Sequence, residues 1–138
     1  MKTKTILDGT VLALIVSIGL LTSCSKESVA NKLLDKIVME GNKLCPVDVD
    51  YMTRYDSIAR PESLTLAYYY TVAATKVELD SMQMNWSQMR DVLLSNVKSN
   101  PQIASLLALD VKFTYIYFDS EGLEIYKTAI LPEDYKKQ

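Results

Sequence analysis

The apolar positions of this chain change period several times, and each change marks an element. Val29, Leu33, Leu34, Ile37 and Val38 recur at three- and four-residue steps, which predicts a helix over Lys26–Asn42 with one face against a core. Gly41 and Asn42, both tolerant of left-handed backbone, are expected to end it. Leu44-Cys45-Pro46 then turns the chain. Tyr51–Ala59 reads as a strand and Arg60-Pro61-Glu62-Ser63 as a turn. Leu64–Thr75, with Leu64, Leu66, Tyr68, Tyr70 and Val72 at every second position, makes the hairpin partner.

The period then returns to that of a helix. Met82, Trp86, Met89, Leu93 and Val97 share one side of a second helix predicted from Asp80 to Lys98. Asn100 is placed to cap, and Pro101 to begin, a short helical turn reaching Leu109. Val111, Phe113, Tyr115 and Tyr117 alternate with Lys112, Thr114, Ile116 and Phe118, the strongest strand pattern in the chain. Asp119-Ser120-Glu121-Gly122 forms a hairpin turn, in which Gly122 can take a positive φ, and Leu123–Ile130 returns beside that strand. Pro132 closes the pattern, and 133–138 is expected to be a loose polar tail. The order helix, two strands, helix, two strands predicts an α+β domain of two layers: a four-stranded antiparallel sheet with two main helices on one face. The two halves share this layout without residue-level identity.

The start of the chain follows another grammar. Lys2 and Lys4 precede an apolar run from Val11 to Leu21, too short for a comfortable membrane span of roughly 20 residues, so it reads as a removable export signal. The run ends at Leu21-Thr22-Ser23-Cys24, which resembles the lipobox of bacterial lipoproteins. That resemblance implies cleavage before Cys24, a diacylglycerol thioether on its sulfur and attachment to the membrane through lipid. Two or three acyl chains anchor stably where one holds only marginally. The expected organisation is therefore a signal over 1–23, a lipidated anchor and tether over 24–30, a single domain over 31–132 and the tail. Leader and layout together are similar to those of small uncharacterised envelope lipoproteins of Bacteroides-type bacteria. Ser25 after the anchor, by resemblance to the enterobacterial pattern, favours the outer membrane.

Composition removes several chemistries. The chain has no histidine, so Ser-His-Asp and Cys-His catalysis are excluded and the commonest zinc ligand is missing. A net charge of −2 with both signs interspersed argues against nucleic acid as a partner. No phosphate-cradling glycine loop or paired-cysteine metal motif occurs, and no cofactor or metal is expected. With Cys24 lipidated, Cys45 has no intramolecular partner, and it fits better as a small packed side chain than as a nucleophile. Asp48, Asp50 and Asp56 could offer oxygens to calcium but lack the glycine turn and closing glutamate of an EF-hand; turns into the first strand suit them better.

Tyrosine is the unusual component. With Tyr68, Tyr70, Tyr115 and Tyr117 beneath the helices, alternation puts Tyr69, Ile116, Phe118 and Tyr126 on the outer sheet face, a candidate surface for an envelope protein partner. Cross-strand pairing that merely steadies a solvated sheet is the competing reading. The function expected is thus a non-catalytic, lipid-anchored, macromolecule-binding domain. The alternative is a binder of small apolar ligands in a cavity between the second helix and the sheet, lined by Met82, Trp86 and Met89.

Overall fold

The computed structural model describes residues 26–137; the leader and Cys24 lie outside the described residues. Helix α1 spans 26–42. Its Leu34 is buried and Ile37 and Val38 pack against the same core, as the spacing predicts, but Val29 and Leu33, which the spacing assigns to that face, are exposed, and Ala30 is buried in their place. Gly41 and Asn42 remain inside the helix, and both serve contact. A Cβ on Gly41 would stand 3.1 Å from Ile58 Cγ2, so the missing side chain lets the helix approach the sheet. The Asn42 amide behaves like a strand neighbour: its Nδ2 donates to the Ile58 carbonyl at 2.8 Å and its Oδ1 accepts from the Ile58 N–H at 2.9 Å.

Five strands follow: β1 Val47–Asp48, β2 Thr53–Ala59, β3 Thr65–Val72, β4 Lys112–Phe118 and β5 Glu124–Ile130. Between β3 and β4 lie α2 Lys76–Ser81, α3 Trp86–Ser99, a 3-10 turn Pro101–Ile103 and α4 Ala104–Leu107, and the chain closes with α5 Pro132–Lys136. The sheet order is β1-β2-β3-β4-β5, with every pair antiparallel except β3 and β4, which run parallel.

The expected four-stranded antiparallel sheet is therefore corrected to a five-stranded mixed one. The two expected hairpins, β2–β3 and β4–β5, are present, but the helical crossover from β3 carries the chain back to the end of the sheet where β3 began. A returning strand can only pair parallel there. The additional strand, β1, is a two-residue pairing, too short to show as alternation. The second helix also differs, since it is broken. Thr75 caps α2 in a reciprocal arrangement with Glu78, Gln83 takes a φ of 53°, and Asn85 restarts the helix by accepting from the Gln88 N–H. Asn100 and Pro101 begin the next turn as expected, and Gly122 has a φ of 84° in the β4–β5 turn.

The end of the chain is ordered where a loose tail is expected. The Leu131 N–H donates to the Asp134 carboxylate at 2.8 Å, and the Tyr135 hydroxyl donates to the Val111 carbonyl at 2.9 Å, so α5 is pinned across the start of β4. Polarity of composition hides this, because one aromatic residue supplies the contact.

One sheet face carries the core. Ile58, Leu66, Val72, Phe113, Tyr115, Tyr117 and Ile130 form a single cluster with Leu34 of α1, Leu79 of α2, Leu93 and Val97 of α3 and Leu106 of α4. Parallel pairing in register sets Tyr68 beside Tyr115 and Tyr70 beside Tyr117. Their rings stack at 5.2 and 4.8 Å, close to the spacing of neighbouring strands of about 4.8 Å, so the backbone dictates the stack.

Candidate functional site

Register assigns each residue singled out from the sequence to a face. Tyr69 pairs with Ile116, and Ile116 with Lys127, on the face away from the helices. Phe118 ends β4 opposite Glu124, after a register shift. Tyr126 is a correction: it pairs with Tyr117 and therefore lies on the helix-covered face, where its ring stacks on Trp86 at 4.9 Å. The structure brings together Tyr69 and Ile116 and separates Tyr126 from them. Between them the outer face forms a shallow depression of about 400 Å³, with Ala67, Thr114 and Ala129 as its floor and Lys112 and Lys127 beside it. Ile116 is only 5% exposed there. Little apolar area is thus offered.

More apolar surface is offered at the end of the sheet where β3 and β4 finish. The β1–β2 loop, α2 and the start of α3 surround a groove of about 340 Å³, lined chiefly by Tyr51, Met52, Met84, Trp86, Met89 and Tyr117. Each wall is positioned by identifiable chemistry. Asp50 accepts the N–H groups of Met52 and Thr53 at 2.8 and 2.7 Å, which fixes the loop and holds Tyr51 at its tip. The Met52 N–H, with that of Thr53, keeps this carboxyl below its ordinary range. Asp50 is thereby used as a turn acceptor. Among the described residues no cluster of acidic or cysteine side chains is arranged to hold a metal ion.

Trp86 forms the floor, stacked on Tyr126 and 6.5 Å from the Tyr117 ring. The lip is Tyr51, 93% exposed, and Met84, 41% exposed. The break between α2 and α3 explains the lining. It turns Met82 out of the stripe that a continuous helix would share with Trp86 and Met89, and brings Met84 in. The sequence thus indicated Trp86 and Met89, placed Tyr117 beneath the helices, and missed Tyr51, Met52 and Met84. The signal for Tyr51 was present in the acidic turn before it, whose geometry points the tyrosine outward. An open groove with flexible thioethers and an exposed aromatic lip suits side chains presented by a macromolecule. Small-ligand pockets instead bury most of their ligand.

The remaining chemistry is muted. Burial pushes the Tyr68 and Tyr70 phenols up to about 12, and moves Tyr115 and Tyr117 upward as well. Burial also raises the Cys45 thiol, whose Sγ donates to the Gly41 carbonyl at 3.4 Å, so at neutral pH it is a packed thiol.

Three solved structures share this fold. A secreted protein of Pseudomonas aeruginosa superposes with a TM-score of 0.69 at 20% identity, over 80% of this chain and 96% of that one. The pilotin EpsS of the Vibrio vulnificus type 2 secretion system gives 0.67 at 10% identity, over 83% and 98%. The type II secretion system pilotin AspS of Vibrio cholerae gives 0.65 at 12% identity, over 81% and 97%. At such identities the likeness is one of fold. By sequence, the chain belongs to the family described as a domain of unknown function, DUF8479, whose model matches residues 28–126. No curated protein matches it.

Proposed function

We propose that this is a lipid-anchored protein of the cell envelope that holds a protein partner in the groove between Tyr51 and Trp86. The observation that carries the reading is the groove itself: an aromatic floor, methionine walls and an exposed tyrosine lip, at the end of a rigid sheet. Aromatic and methionine side chains are enriched where partners dock, because they give large contact area and adapt to what enters. The likeness of fold to pilotins supports a component of an envelope assembly as the partner. The leader and Cys24 supply the anchor, and Ser25 favours the outer membrane. No step of bond chemistry is assigned to the domain.

The test is photo-crosslinking in the native envelope from an amino-acid probe at Met84, with a second probe at Tyr69 on the outer face. A discrete adduct from position 84, lost in Trp86→Ala, is expected. An adduct from position 69 alone would transfer the partner surface to Tyr69, Ile116 and Phe118. Recovery of bulk porins only, from both positions, would remove the partner. For the anchor, Cys24→Ala should release the protein from membranes, and continued tight association would contradict the lipid reading.

A further inference from the structure

The first turns of α1 present a second apolar surface, remote from the groove. Val29 is 66% exposed and Leu33 39% exposed, and with Ala30 and Leu109 they line a notch of about 390 Å³ that Lys26 borders. Both lie outside the core-facing stripe of α1, which is complete in Ala30, Leu34, Ile37 and Val38. Three lysines surround the pair at helical spacing: Lys26 precedes Val29 by three residues, Lys32 follows it by three, and Lys36 follows Leu33 by three. None of the three forms an ion pair among the described residues. The acidic groups nearest in sequence line a depression on the adjoining flank that Lys32 borders, and both are engaged there: Glu27 accepts from the Ser63 hydroxyl and Asp35 pairs with Arg60 at 2.6 Å.

We infer that this collared patch is a bilayer seat: Val29, Leu33 and Leu109 enter the headgroup boundary while Lys26, Lys32 and Lys36 meet anionic lipid headgroups. The inference rests on lipidation of Cys24 and deepens that reading. Only one residue stands between Cys24 and the first residue of α1, and two residue steps reach at most about 7 Å, so a lipid on Cys24 brings the first turns of α1 to the membrane surface. Apolar side chains ringed by long basic ones that extend toward headgroups are the composition of interfacial helices. The seat also orients the molecule. Leu109 stands just before β4, whereas Tyr117, beside Trp86, is near its far end, and the five residue steps from Lys112 to Tyr117 span about 17 Å. The groove is thus held off the bilayer.

Trp86 is the sole tryptophan, so depth can be read by quenching with lipids carrying bromine on their acyl chains. The full, processed protein is reconstituted into vesicles of phosphatidylethanolamine and phosphatidylglycerol. Trp86 should keep its emission, and Leu33→Trp in a Trp86→Phe background should lose it. Should that double variant fold poorly, Val29→Trp with Trp86 retained should lose the share contributed by the new indole. An unquenched indole at 33 or 29 in protein that floats with the vesicles overturns the seat while leaving the anchor standing. Equal quenching of Trp86 would mean a domain with no preferred end at the bilayer, and overturns it too. Protein that does not float, with an unmodified Cys24, removes the anchor and the seat together.

Discussion

Ile116 and Ile130 are both buried isoleucines, yet they lie on opposite faces of one sheet, and truncating each to alanine separates a packed core from a self-covered surface. Either change removes about three carbons, a transfer loss of about 2.4 kcal/mol at 0.8 kcal/mol per methylene. Ile130 is fully buried in the cluster beneath the helices, opposite Phe113, and its neighbours are fixed by strands on one side and helices on the other. A cavity there persists and adds its own cost, so Ile130→Ala should lose about 4 kcal/mol. Ile116 has Tyr69 and Lys127 as register neighbours, and none of the described helices belongs to its face of the sheet. These side chains can fold into the vacated space, so Ile116→Ala should lose about 2 kcal/mol. The assay is equilibrium urea unfolding of both variants, with the midpoint shift read at unchanged slope. Equal losses, or a larger one at Ile116, would refute the assignment of the core to one face and imply a second rigid layer over the outer face.

Three further outcomes follow from single contacts. The Asp119 carboxylate accepts N–H groups of Leu123, Glu121 and Lys76, and these bonds, that of Leu123 foremost, hold it below its ordinary range. Its stabilisation is complete above that range and fades as pH falls through the lowered value, so Asp119→Ala should lower the melting temperature at neutral pH and by much less in strong acid. At the other extreme, Tyr68 and Tyr70 stay neutral from the ordinary value of 10 up to about 12, because burial disfavours the phenolate. The stabilisation they supply is complete below pH 10 and progressively lost between 10 and 12, and the part of the phenolate absorbance that disappears in Tyr68→Phe and Tyr70→Phe should rise together with unfolding; ionisation of these two residues at pH 10 in folded protein would contradict the stack. Tyr135→Phe removes the bond to the Val111 carbonyl at 2.9 Å, should cost about 1 kcal/mol, and should speed hydrogen exchange in α5 ahead of the sheet.

What could be read from the sequence was local. Helix α1, both hairpins, the Asn100–Pro101 restart and the Gly122 turn depend on neighbours within a few residues, and their residue types state the geometry. Three features were hidden because distant contacts decide them. The parallel seam follows from the direction of the crossover, not from the pattern of either strand. The side taken by Tyr126 follows from pairing with Tyr117, and in Leu123–Ile130 both alternating sets contain apolar and polar members, so alternation alone does not choose a face. The α2–α3 break depends on Gln83 in a positive φ, a conformation its residue type does not announce. The groove was half legible for the same reason: Trp86 and Met89 share a helical stripe, while Tyr51 and Met84 arrive from loops.

The seam between β3 and β4 also governs the order in which the chain can mature. A strand pair joined across roughly forty residues closes late, since both partners and the intervening helices must be present. Until then the β2–β3 hairpin stands with three consecutive tyrosines beside an open backbone edge, a natural client for a holdase.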